Sequence, residues 1–60
     1  HAYTAEAYQW LGKTYFKLNE LNQAKINLQK AYDIQGMVKK SAQQETKKYL
    51  DMVNKKIIDK

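Results

Sequence analysis

Apolar positions recur along this chain at steps of three and four, the period that lines one face of an α-helix. Over residues 4–17 the stripe is Tyr8, Leu11 and Tyr15, continued by Leu18. Thr4 is placed to cap the helix start, and Glu6 lies in the first turn, where a carboxylate favours the N-terminus. The stretch Leu18-Asn19-Glu20 interrupts the pattern, and Asn19 can take the left-handed conformation that ends a helix. A second stripe, Leu21, Ala24, Leu28, Ala31 and Tyr32, predicts a helix from about Leu21 or Asn22 to Ile34, with Gly36 as its stop. A third helix is expected from Val38 to Ile58. Its stripe is Val38, Ala42, Tyr49, Leu50, Val53 and Ile57, with Thr46 between; Lys40, Gln44, Lys47, Asp51 and Lys55 occupy the opposite face. The first linker is short, so the first two helices should run antiparallel.

Composition supports an all-α fold. The chain has no proline, only Gly12 and Gly36 as glycines, and many strong helix formers. At 60 residues it forms one domain at most, and a chain of that size buries only about 60% of its unfolded surface. It has no cysteine, and His1 is its one histidine, so neither disulfides nor a structural zinc site can reinforce the core. No cofactor is expected. No apolar run reaches the roughly 20 residues of a membrane span, and no basic segment followed by an apolar stretch marks a signal peptide. A cysteine-free chain fits a reducing compartment, and a cytoplasmic location is the expectation.

The net charge is +5 and every basic residue is lysine. Residues 1–36 carry four lysines against three carboxylates, residues 37–60 seven against three. The positive second half suggests an acidic partner, nucleic acid or a membrane surface, unless it is only a solvated face.

The spacing Tyr8-x-x-Leu11-Gly12-x-x-Tyr15, followed by Ala24-x-x-x-Leu28-x-x-Ala31, resembles a tetratricopeptide repeat. Seven positions agree in type and spacing across residues 5–38; Asn19 stands where that family often has glycine and Gly36 where it often has proline. Small residues at Gly12 and Ala24 would let the two helices approach closely. A shift of one repeat length carries Tyr15 onto Tyr49 but Leu11 onto Glu45, so the third segment reads as a capping helix over residues 39–58 rather than a second repeat. The fold expected is an antiparallel hairpin plus a capping helix, of the α-solenoid type, and the 60 residues read as part of a longer repeat array.

By that resemblance the first helix lines a concave groove and binds a peptide or another protein. Its groove positions here are Glu6, Gln9, Lys13, Phe16 and Lys17, and the capping helix would add Lys40, Gln43, Lys47 and Leu50. Such a groove suits an acidic peptide with one apolar anchor. The family's clamp for chaperone-tail carboxylates does not match, since Gln9 and Lys13 stand where Lys and Asn are required. Ala7, Trp10 and Thr14 fall on the side that meets a preceding hairpin, so this face is expected to contact upstream repeats or a second copy, unless Trp10 folds back against Tyr3.

Other classes are weaker. A basic three-helix nucleic-acid-binding domain is the alternative, but the chain has no arginine, the usual bidentate reader of guanine, and no convincing helix-turn-helix. Its scattered carboxylates offer no acid–base pair, so catalysis is not expected. A membrane-surface role for the third helix is disfavoured too, because its apolar stripe is needed to close the hairpin.

Overall fold

A computed structural model describes residues 4–59, and those residues form three helices: α1 (Ala5–Lys17), α2 (Leu21–Val38) and α3 (Lys40–Ile58). His1, Tyr3 and Lys60 lie outside the described residues, and with them the contact weighed for Tyr3 against Trp10. α2 is the middle element. It packs along α1 on one side and α3 on the other, while α1 and α3 meet only over a short stretch.

The first helix starts and stops where its sequence indicates. Thr4 accepts a hydrogen bond from the Ala7 N–H at 3.2 Å, the N-cap geometry that satisfies one free amide of the first turn. At the other end Asn19 has φ 62°. The Asn19 N–H donates to the Phe16 carbonyl at 3.0 Å and the Glu20 N–H to the Tyr15 carbonyl at 2.9 Å, the paired bonds of a Schellman motif. Asparagine takes the left-handed position at smaller steric cost than most residues, so it does the work of a glycine here.

The second helix does not stop at Gly36. It continues to Val38, where the Lys39 N–H donates to the Gln35 carbonyl at 2.7 Å and Lys39 turns the chain with φ −157° and ψ 78°. Gly36 serves another purpose: a Cβ there would stand 2.6 Å from Gln43 Nε2, so its missing side chain leaves room for the Gln43 amide that donates to the Tyr32 carbonyl. Val38 consequently belongs to α2 and is exposed, not part of the buried stripe of α3, and Leu18 is likewise exposed as the residue that ends α1.

The core comprises Leu21, Ala24, Leu28, Leu50 and Val53, with Tyr15, Phe16, Tyr32, Tyr49 and Ile57 packed around it. Leu28 and Val53 are completely buried. The small residue at Gly12 lets α1 approach α2 at Leu28: a Cβ on Gly12 would lie 2.6 Å from Leu28 Cδ2 and 3.3 Å from the Leu28 backbone nitrogen. Leucine therefore fills the notch that glycine opens.

Candidate functional site

A polar chain crosses the core and joins the three helices. Thr46 is fully buried, although it lies between the apolar positions of its helix. Its hydroxyl donates to Gln35 Oε1 at 2.6 Å, and Gln35, itself 2% exposed, donates through Nε2 to Gln9 Oε1 at a long 3.4 Å. One residue from each helix is thus joined in a single network. Gln9 Nε2, at its end, is buried without a hydrogen-bond partner.

With Thr46 turned toward α2, its neighbours are apportioned to two flanks. Glu45 and Tyr49 face α1: Lys13 Nζ lies 3.2 Å from Glu45 Oε2 and 4.9 Å from the centre of the Tyr49 ring. Two turns on, Lys56 Nζ stands 5.1 Å from the centre of the Phe16 ring. The line where α1 meets α3 therefore holds Gln9, Lys13 and Phe16 from α1 against Glu45, Tyr49 and Lys56 from α3. Glu6 and Lys17 are exposed near the two ends of α1.

Lys40, Gln43 and Lys47 are on the other flank. They line, with Tyr32 and Gln44, an open cleft of about 230 Å³. Gln43 Nε2 donates to the Tyr32 carbonyl at 2.9 Å, while neither Lys40 nor Lys47 has a carboxylate partner among the described residues. Glu45 and Lys47 are two residues apart, which on a helix is about 200° of rotation. Stepping α1 forward by one repeat length had put Lys40, Gln43 and Lys47 beside the α1 residues; the fold does not bring them onto one surface, because Thr46 and Val53 take the buried side. Leu50, the further groove candidate, is buried in the core. The signal that could have shown this is Gln35, which continues the Leu28–Ala31 stripe and invites a polar partner from α3.

The remaining features are spare. An open depression of about 400 Å³ at the α1–α2 turn is lined by Asn19, Glu20, Leu21, Asn22 and Ile57, with Glu20 as its one carboxylate. Among the described residues no three His, Cys, Asp or Glu side chains gather to hold a metal, and no helix is long and apolar enough to cross a membrane. Trp10 is 65% exposed, on the same row of α1 as the partly exposed Ala7 and Thr14.

Against this geometry, the family model for the tetratricopeptide repeat matches residues 5–36, which is the α1–α2 hairpin almost to its end. The chain belongs to the tetratricopeptide repeat family. No curated protein and no solved structure compared with it matches. Repeats of this family are non-catalytic modules that generally mediate protein–protein interaction, binding other proteins or peptides. In this repeat the seven motif positions build the hairpin, and the polar residues between them face α3 and solvent.

The Glu45 carboxyl has a measurable signature. Its hydrogen bond to the Lys13 ammonium holds its pKa below the ordinary 4.5, with a further contribution from the Gln9 amide. The Gln9 side-chain amide acts on Glu45 although its Nε2 makes no hydrogen bond of ordinary geometry. A carboxylate whose pKa is lowered by folding adds stability that is complete above its unfolded pKa and is lost as pH falls through the folded value. Melting temperatures taken from pH 7 to pH 3 should therefore show Glu45→Gln less stable than the parent at neutral pH. The two curves should converge below about pH 4.5. A gap that persists at pH 3 would mean that Glu45 acts through packing and not through its charge.

Proposed function

We propose that this repeat takes an acidic peptide segment of a partner protein along the line where α1 meets α3. Gln9, Lys13 and Phe16 hold it, with Glu6 and Lys17 at the two ends of the contact. The observation that supports this most is the family match over the hairpin that carries those side chains. The chemistry agrees: Lys13, over the Tyr49 ring, and Lys56, over the Phe16 ring, supply positive charge along this line, which suits carboxylates beside one apolar anchor. The unpaired Lys40 and Lys47, with Gln43 between them, extend the attraction around α3 and give the same partner a second contact.

On this reading residues 5–38 are the repeat, residues 39–58 are the cap that closes it, and the module needs neither catalysis nor a cofactor. Affinity capture on the immobilised chain, compared with a Lys13→Glu/Lys47→Glu double variant, tests it. One discrete protein should be retained by the parent, lost with the variant and unaffected by nuclease, and mapping its bound segment should find an acidic stretch. Retention that disappears with nuclease would assign the lysines to nucleic acid instead.

The row Ala7, Trp10 and Thr14 serves a different contact in this proposal, with a preceding hairpin or a second copy of the chain. An exposed tryptophan beside small residues is the kind of anchor such interfaces use. Sedimentation over a range of concentrations is expected to show association that Trp10→Ala weakens. A parent that stays monomeric and whose stability ignores the substitution would sink the idea.

A further inference from the structure

Lys13 is the cation best placed to receive an acidic ligand on the α1–α3 line, yet a carboxylate from the chain itself already occupies it. Glu45 Oε2 sits 3.2 Å from Lys13 Nζ, across a sequence separation of 32 residues. It is the one ion pair among the described residues. The same ammonium is steadied over the Tyr49 ring. The Glu45 side chain is 58% exposed, so it can swing into solvent without disturbing the core, whereas Lys13, 32% exposed, is held between α1 and α3.

The unpartnered Gln9 Nε2 completes the picture. Its amide is oriented from behind by Gln35, which is in turn held by the buried Thr46 hydroxyl. Glu45 reaches Lys13 from its own backbone position on α3 but leaves this donor without a bond. A carboxylate that is not tethered to α3 is free to set one oxygen on Lys13 and the other on Gln9. The resident carboxylate is thus a competent but imperfect occupant.

We propose that Glu45 is an intramolecular competitor of the acidic ligand: it keeps Lys13 neutralised in the free chain and must be displaced for a peptide carboxylate to enter. The inference rests on the acidic-peptide reading above and adds to it a threshold. A ligand with a single carboxylate only exchanges one ion pair for another, whereas a ligand with several carboxylates gains contacts that Glu45 cannot supply. Selectivity for dense negative charge then comes from a repulsive element as well as from the lysines.

A double-mutant cycle tests this. A fluorescein-labelled peptide of sequence Glu-Glu-Leu-Glu-Glu is titrated, at low salt, into the parent, Glu45→Gln, Lys13→Gln and the Lys13→Gln/Glu45→Gln double variant. Glu45→Gln is expected to tighten binding about three- to fivefold, the range an exposed ion pair can supply. In the Lys13→Gln background the same change should have little effect, because the cation being competed for is gone. Equal tightening in both backgrounds would show only a general loss of negative charge and would overturn the inference. So would binding that needs Lys13 but ignores Glu45→Gln, which leaves the acidic-peptide reading standing. If no form binds the peptide, that reading fails and the inference with it.

Discussion

Leu28→Ala is expected to leave most of the chain unfolded at room temperature. Leu28 is fully buried at the centre of the core, between α1 and the rest of α2. Leucine-to-alanine changes at such sites cost about 3–5 kcal/mol, the spread depending on how far the cavity collapses. A domain of this length has only about 3–9 kcal/mol in total. Gly12→Ala should be damaging for the complementary reason. Alanine gains about 1 kcal/mol over glycine in a helix interior, but the new Cβ enters space already held by the Leu28 side chain and comes within 3.3 Å of its backbone nitrogen. Overpacking of this kind costs about 1–3 kcal/mol, and a completely buried leucine has no open rotamer to move into.

The two substitutions should therefore compensate. With Leu28 shortened, the Gly12→Ala methyl occupies volume the leucine has vacated, and the gain in helix propensity remains. Urea unfolding followed by far-ultraviolet circular dichroism, in an osmolyte such as TMAO to keep the weaker variants folded, would give the coupling. Gly12→Ala should cost clearly less in the Leu28→Ala background than alone, and strict additivity would refute the proposed contact. Gly36→Ala is a useful control. Its Cβ meets the flexible tip of Gln43, so the helix gain and the lost bond to the Tyr32 carbonyl should cancel to within about 0.5 kcal/mol.

The hairpin was legible because its signals are local or fall in one motif. Thr4 caps, Asn19 turns and the three-four stripes face one another as their spacing requires. Gly36 misled because glycine has two uses. It can end a helix or permit a close approach, and only the position of Gln43, seven residues away on another helix, decides between them. The flanks of α3 were harder still. Glu45 was visible as a polar residue where a second repeat would place leucine, which argued against a second repeat in α3, but its partner Lys13 is set by the rotation of α3. A helix contact made through one buried hydroxyl and one buried amide leaves little trace in hydrophobic periodicity, because Thr46 and Gln35 count as polar positions in any such pattern.

Thr46→Val should show that this pair of polar groups, and not packing alone, governs the α2–α3 contact. Valine keeps the shape of threonine, so the fully buried site remains filled. What is lost is the donor at 2.6 Å from Gln35 Oε1. That oxygen would stay buried without a partner, a penalty of about 1–3 kcal/mol, larger than the net value of the bond itself. Removing the acceptor as well should return most of the loss. In Thr46→Val/Gln35→Met the unbranched methionine replaces the glutamine stem for stem, and Gln9, only partly buried, turns its freed amide oxygen to water. Chemical denaturation is thus expected to rank the parent and the double variant close together, with Thr46→Val well below both. A double variant no more stable than Thr46→Val would mean that the loss came from disturbed packing, and the polar chain would then be a consequence of the helix arrangement instead of one of its causes.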